Sequence, residues 1–216
     1  MSRRALTTAA AALTATTALL LTACGGGDDK SSDDIKGADT GSTSPSASAS
    51  GGSDAKRPRI TLPDNFQLTF QDWTSSDPVE RAVLDDTREQ LRAGYAAITA
   101  NEPDGGDALA FYDTDSGLSQ DQRWIKTYTD KNLTVFGKLP AFDAKVTVLG
   151  SNRTRAAVTY CTDESKAYTR DRKTSKVEGN PAGTDPEVFY TVTLRKNAEN
   201  VWQNVSTQSK RGGCAS

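Results

Sequence analysis

The sequence predicts an α+β domain in which N-terminal helices pack on one face of a curved antiparallel sheet. Apolar side chains first recur at helical spacing, and after Leu133 they alternate with polar ones, as in half-buried strands. The segment from about Arg57 to Ser216 is close to the length of one ordinary domain, which is long enough for one buried core. Helices followed by antiparallel strands are typical of the α+β class.

The first helix is predicted from Pro78 to the residue before Asn101. Ser76 or Asp77 offers a side chain for the N-cap, and Pro78 suits the first helical position because its missing N–H would be unpaired there anyway. One face of this stretch carries Val83, Thr87, Leu91, Tyr95 and Ile98. A second helix is predicted from Ser119 to Lys131, with Ser119 as its cap, and a short helical turn is predicted over 108–112.

Two β-hairpins are predicted in the second half of the domain. Residues 144–149 and 155–161 alternate in polarity and flank a turn at 150–153. Residues 187–195 and 201–207 show the same pattern around a second turn. Neighbouring hairpins of this kind build an antiparallel sheet.

The first 23 residues have the features of an export signal. Arg3 and Arg4 supply a positive start, residues 5–21 carry no charge, and small residues precede Cys24. The apolar run is shorter than the ~20 residues that span a bilayer, so we expect it to be cleaved rather than kept as a transmembrane helix. Two arginines near a start are ordinary positive charge, so the export route, Sec or Tat, stays open.

Residues 21–24, Leu-Thr-Ala-Cys, resemble the bacterial lipobox. By that resemblance Cys24 receives a diacylglyceryl thioether and cleavage falls after Ala23; an incidental cysteine in an ordinary secretory signal is the alternative. Two acyl chains hold a protein stably on a membrane, where one does not. The expected location is therefore the extracytoplasmic face of the cell membrane, with the lipid anchor at Cys24.

Residues 24–57 are expected to form a tether. They are rich in Gly, Ser, Asp, Ala and Thr and contain no aromatic residue. Such a segment buries too little apolar area to offset its chain entropy, so we expect it to be disordered. The predicted organisation is thus a signal over 1–23, the tether over 24–57 and the folded domain over 58–216.

Several short motifs follow one another in the folded domain. They are the helix from Pro78, a Trp124-Ile125 helix leading to a strand at 133–137, the stretch Ala-Val-Thr-Tyr-Cys-Thr-Asp-Glu-Ser at 157–165, and a Trp202 strand before Gly213-Cys214. Together they resemble the NTF2-like, or SnoaL-like, cone of small actinobacterial lipoproteins and of domains associated with Mce transport systems. The resemblance implies helices packed on a curved sheet, and it offers no catalytic residues to carry over.

Three cysteines are present, and lipidation of Cys24 would leave Cys161 and Cys214 as an even pair in an oxidising compartment. A disulfide between them is the natural hypothesis. A redox-active or metal-binding pair is the alternative, although the chain has neither CxxC spacing nor histidine.

The absence of histidine narrows the chemistry that the chain can perform. It excludes Ser-His-Asp and Cys-His arrangements, His-based zinc sites and the commonest general base near neutral pH. An Asp base in an apolar pocket would still be able to enolise or isomerise a substrate, and the candidates are Asp72, Asp113, Asp115 and Asp163. Each is more simply a cap, turn or strand-end residue. Asp113 to Gly117 also begins like a calcium loop, but a turn between two helices fits better, so no metal or cofactor is expected.

A basic cluster is the remaining candidate surface, and it consists of Lys166, Arg170, Arg172, Lys173 and Lys176. The favoured interpretation is a solvated sheet edge whose charges discourage pairing with other sheets. The alternative is a contact surface for an anionic partner such as lipid headgroups or a cell-wall polymer. The net charge of −2 gives no reason to expect nucleic acid.

The expected function is a non-catalytic binding or assembly module at the cell envelope, with an envelope protein or cell-wall component as partner. The alternatives are a SnoaL-like small-molecule-binding protein or enzyme using an Asp base, and an accessory subunit of an envelope transporter. An enclosed apolar cavity holding a buried carboxylate would favour the small-molecule alternative, whereas a filled cone would exclude it.

Overall fold

The computed structural model describes residues 56–214. The predicted signal, Cys24 and nearly all of the tether lie outside the described residues. The three helices are α1 (Pro78–Ala100), α2 (Gly106–Tyr112) and α3 (Asp115–Thr129). The strands are β1 (Phe66–Phe70), β2 (Leu133–Leu149), β3 (Arg155–Asp163), β4 (Lys166–Asp171), β5 (Val177–Glu178), β6 (Glu187–Lys196) and β7 (Trp202–Arg211).

Helix α1 begins and ends as predicted. The Asp77 carboxylate accepts hydrogen bonds from the backbone N–H groups of Val79 at 2.7 Å and Glu80 at 3.1 Å, and Pro78 occupies the first turn. Asn101 takes the left-handed conformation at the C-terminal end, with φ of 64°. Of the two N-cap candidates, Ser76 and Asp77, Asp77 is the N-cap of α1.

Helix α3 begins four residues before the predicted start, so the assignment of Ser119 as its cap is wrong. Thr114 is the N-cap, and its hydroxyl accepts from Gly117 N–H at 3.3 Å. The sequence predicts a turn at Gly117, but this residue lies in the first turn of α3. A Cβ there would sit 2.3 Å from the carbonyl oxygen of Asn204. The close approach of α3 to β7 explains this glycine.

The sheet is curved around the long strand β2. The strand order is β5-β4-β2-β3-β6-β7, with antiparallel pairs throughout, and β1 pairs with β2 in parallel. The first part of β2 pairs with β4 and the second with β3, so the strand belongs to two ladders. Gly137 with φ of 99° and the register shift between Phe142 and Lys145 bend it between them. The parallel strand β1 was not predicted.

The three helices cover the sheet on one side, and the predicted fold class, helices on a curved sheet in the manner of an NTF2-like cone, is confirmed. One buried cluster joins α1, α2 and α3 to β1 and β2, and includes Ile98, Leu109 and Ile125. A second cluster joins α1 to β3, β6 and β7, and includes Val83 and Trp202. Within residues 56–214 no helix combines the length and hydropathy needed to cross a membrane.

Candidate functional site

The cone is not filled: a cavity of about 170 Å³ lies between α1, α3 and the strands β3, β6 and β7. A cavity of roughly this volume, about 150 Å³, is known to admit a benzene molecule when it is apolar. The cavity runs from exposed Ser209 at its rim to buried Gln90 and Asp121 at its inner end. Its lining residues are Gln90, Leu91, Tyr95, Gln120, Asp121, Trp124, Tyr160, Tyr190, Thr207 and Ser209.

Four aromatic rings line the cavity. The rings of Tyr95 on α1 and Trp124 on α3 meet edge to face, with centroids 5.2 Å apart and planes at 90°. Across the cavity Tyr160 on β3 and Tyr190 on β6 stack with centroids 4.9 Å apart and planes at 11°. Such contacts fix ring orientation as well as burying apolar area. The cavity walls therefore present aromatic surface whose ring orientations are fixed by these contacts.

Hydrogen bonds between α3 and β7 hold the cavity at its rim. The Gln120 side chain donates to the carbonyl oxygen of Thr207, and its own amide oxygen accepts from Thr207 N–H at 3.0 Å. This reciprocal pair places the helix carrying Asp121 and Trp124 at a set height above the sheet.

Asp121 is the one carboxylate that lines the cavity, and it is 6% exposed. Its Oδ2 accepts hydrogen bonds from the side-chain amides of Gln90 on α1 and, at 3.3 Å, of Asn204 on β7. Asn204 is itself fully buried, and its Oδ1 accepts from the Thr207 hydroxyl at 3.3 Å. Amide donors from two elements thus hold this carboxylate in place.

A second buried carboxylate, Asp113, lies directly behind Asp121. It is 4% exposed, its Oδ1 accepts from Gln90 Nε2 at 3.4 Å, and its Oδ2 has no hydrogen-bond donor among the described residues. A buried, unpaired carboxylate oxygen is costly unless it carries a proton. A proton on Asp113 removes this charge and leaves Asp121 as the ionised member of the pair.

The pKa values follow from that arrangement. Burial, and then the neighbouring Asp121 charge, raise the pKa of Asp113 to about 8. Burial raises the pKa of Asp121 to about 6, while hydrogen bonds from Asn204, Asp113 and Gln90 oppose this. Two carboxylates this close do not both ionise readily, so near neutral pH the pair holds one proton and one negative charge.

Of the four aspartates proposed as bases, only Asp113 is brought to the site. Asp72 and Asp115 are exposed, and Asp163 accepts from Ser165 N–H at 2.8 Å in a strand-end turn. Sequence reasoning missed Asp121, the residue that reaches the cavity. Its signal was a carboxylate on the same helical face as Trp124 and Ile125, since it precedes them by three and four residues.

The predicted disulfide between Cys161 and Cys214 is confirmed, with an S–S distance of 2.08 Å. Cys161 follows the cavity residue Tyr160 on β3, so the bridge ties the end of the described chain to a strand of the cavity wall.

The basic cluster lies on β4 and in the turn that follows it, and several of its members have partners within the fold. Arg172 donates to the carbonyl oxygens of Ile98 at 2.7 Å and Thr99 at 3.1 Å, at the end of α1. Arg170 lies over the Phe136 ring at 4.3 Å, and Lys176 pairs with Glu178 at 2.7 Å. Lys166 and Lys173 are exposed. Contact with an anionic partner stays a prediction.

The chain entering the domain is held by an ion pair between partly exposed Arg57 and buried Asp86. Asp86 on α1 is fully buried; its Oδ2 accepts from Trp202 N–H at 2.8 Å, and its Oδ1 pairs with the Arg57 guanidinium. Burial raises the pKa of Asp86, and Arg57 opposes the rise. Arg57, assigned to the end of the tether, therefore contacts the core.

No protein-family model and no curated protein sequence matches the chain. Among solved structures, the intermembrane-space region of the chloroplast protein ARC6 is similar with a TM-score of 0.42 and 10% identity, covering 61% of this chain and 96% of that one. A ketosteroid isomerase-like protein from Erwinia carotovora is similar with a TM-score of 0.37 and 14% identity, covering 58% of this chain and 92% of that one. ActVI-ORFA from Streptomyces coelicolor is similar with a TM-score of 0.41 and 8% identity, covering 62% of this chain and 98% of that one. Similarities this distant assign no activity to this chain.

Proposed function

We propose that this protein is a non-catalytic small-molecule-binding module, tethered to the extracytoplasmic face of a membrane through lipidated Cys24. The cavity in the cone binds a ligand about the size of one six-membered ring. The aromatic walls supply apolar contact, and the carboxylate pair at the inner end supplies the polar anchor.

The open cavity is the single observation that carries the proposal. A domain that served only as an assembly module would gain stability by filling this space, because each missing contact in a core costs free energy. The chain instead keeps the space open and places a buried carboxylate, Asp121, at its inner end. Both features favour a bound ligand over a purely structural role.

Neutral single-ring probes test this binding directly. Phenol and cyclohexanone, titrated into the domain and followed by protein-observed NMR, should shift resonances of Tyr95, Trp124 and Tyr190 first. The Leu91→Trp variant, which fills the cavity, should abolish the shifts. The Leu149→Trp variant adds the same ring at an exposed position outside the cavity, and it should leave them unchanged. Shifts that survive in folded Leu91→Trp would contradict the proposal.

The anchor has a separate test. Changing Cys24 to Ser removes the only thiol that the lipobox resemblance offers for acylation, so the protein should appear in the medium or retain its signal. A processed Cys24→Ser form that stays with the membrane fraction would overturn the anchor. The control is Cys214→Ser, which alters a cysteine of the folded domain and should leave membrane retention intact.

General-base catalysis is the second candidate, and the position of Asp121 favours it. A carboxylate with a pKa near 6 inside an aromatic cavity is basic enough to abstract a proton next to a carbonyl near neutral pH. The test is exchange of the α-hydrogens of cyclohexanone in D₂O. Exchange faster than with Asp121→Asn would support catalysis, and equal rates would leave the protein a binding module.

A further inference from the structure

The cavity is anionic, and the described residues that line it supply no cation. Asp121 is the ionisable carboxylate in its lining, and Asp113 behind it makes a pair with one negative charge near neutral pH. Among the described residues that line the cavity, none is Lys or Arg. The side-chain amides that donate to the Asp121 carboxylate, Gln90 and Asn204, are neutral.

The aromatic walls also lack a cation, although this chain uses such contacts elsewhere. Guanidinium groups lie over the rings of Phe70 at 5.4 Å, Tyr112 at 6.0 Å and Phe136 at 4.3 Å. Within residues 56–214, none of the four cavity rings has an Arg or Lys over its face. No cation of the described residues thus competes with a cation from outside for contact with these rings.

From these two observations we propose that the ligand is a small organic cation whose alkylated ammonium group lies between the aromatic rings and the Asp121 carboxylate. This inference rests on the proposed function and names the ligand class for the same cavity. Perpendicular rings such as Tyr95 and Trp124 form two adjacent walls of a box, the arrangement that suits a rounded cation. A tetramethylated nitrogen is about as large as a benzene ring, which a cavity of about 150 Å³ holds.

Binding should also depend on pH, because the cation competes with the shared proton. The groups that face Asp121 are Asp113 at the end of α2, Tyr160 on β3, and the uncharged amides of Gln90 and Asn204. The remaining titratable groups around the cavity are Tyr95 and Tyr190, whose pKa values burial raises, so they stay neutral. Affinity should therefore rise as the carboxylate pair loses its proton.

Choline and its neutral isostere 3,3-dimethyl-1-butanol provide the decisive comparison, since they differ in charge but hardly in shape. Isothermal titration at neutral pH and low salt should give choline an affinity at least tenfold higher. Two buffers of different ionisation enthalpy should reveal proton release on binding. In Asp121→Asn the preference for choline should disappear, while Asp115→Asn, an exposed carboxylate on the same helix, should keep it.

The outcomes separate this inference from the function on which it rests. Equal binding of both isosteres, or a choline preference that survives in Asp121→Asn, overturns the cation inference and leaves ligand binding standing. If neither isostere binds while phenol or cyclohexanone does, the cation inference alone fails. If none of the four probes binds, both proposals fail.

Discussion

At the residue scale, the most unusual feature is a pair of neighbouring buried carboxylates, and burial raises the pKa of both. Burying Asp113 and Asp121 is costly, and their partners Gln90 and Asn204 are neutral amides rather than cations. An apolar pair of the same size would pack here without that penalty. A role of this charge in binding a ligand in the cavity would explain why the fold accepts that loss of stability.

The raised pKa of Asp113 predicts how the free energy of unfolding depends on pH. The pKa of Asp113 in the folded protein, about 8, lies above the ~3.9 of an unfolded aspartate, so the folded state holds the extra proton between these values. The free energy of unfolding should therefore fall as pH rises from about 4 to about 8. Asp113→Asn cannot ionise, so at pH 8 it should exceed the wild type by at least about 1.4 kcal/mol, the equivalent of one pKa unit.

Urea unfolding between pH 4.5 and 8.5 measures this difference. The profile of Asp113→Asn should be flatter than that of the wild type, and the two should converge at the acidic end. Asp115→Asn is the control because its carboxylate is exposed on α3, and its profile should follow the wild type. Parallel profiles for Asp113→Asn and wild type would show that the buried proton is absent.

At the scale of elements, the cavity is set by the distance between α1 and α3. Gly94 on α1 lies against Trp124 on α3, and a Cβ at Gly94 would come within 2.7 Å of the outer ring atom Cζ3. The hydrogen bonds between Gln120 and Thr207 fix the other side of α3. The helix is therefore held close to both neighbours, and the Trp124 ring packs directly against Gly94.

Gly94→Ala should change binding more than stability. Alanine favours a helix over glycine by about 1 kcal/mol, which offsets part of the packing loss, while the displaced Trp124 ring disturbs the cavity. We expect the unfolding free energy to stay within about 1 kcal/mol of the wild type and the affinity for a cavity probe to fall about tenfold. Calorimetry and urea unfolding measure the two quantities.

A double-mutant cycle supplies the control for this prediction. In a Trp124→Phe background the ring atom that the new Cβ would meet is gone, so Gly94→Ala should have a much smaller effect on affinity. An equal effect in both backgrounds would mean that the substitution acts away from Trp124.

At the scale of the whole molecule, two links hold the ends of the domain to its core. Arg57 pairs with buried Asp86 near the start, and Cys214 is bonded to Cys161 near the end. A domain on a tether outside the cell has no cytosolic chaperones to refold it, so links that raise its stability suit the proposed location.

Replacing both bridge cysteines, Cys161→Ala with Cys214→Ala, should lower the unfolding free energy by about 2–4 kcal/mol. The closed loop spans 53 residues, and in the chain-entropy model its loss frees the unfolded state. Urea unfolding of the double variant measures the loss, and the reduced wild type should match it. Wild-type stability that does not change on reduction would contradict the expected contribution.

The sequence by itself determined most of the architecture, because helix caps and polarity patterns act between neighbouring residues. Asp77 and Pro78 set the start of α1, and alternation along 155–161 and 187–195 identified β3 and β6. The Cys161–Cys214 pair was inferred from an even count once Cys24 was assigned to the lipid. The errors lie where tertiary contacts outweigh local preference. Gly117 suggested a turn, whereas the structure needs a glycine inside α3 because α3 approaches β7 so closely.

Only the tertiary structure decided the site. Asp113, Asp121, Gln90 and Asn204 come from four separate elements, and nothing in their spacing along the chain relates them. The cavity is likewise a property of how α1 and α3 sit over the sheet, since the same aromatic residues would have filled a closer packing. Burial and proximity raise the pKa values there, and both depend on the folded arrangement rather than on the order of residues.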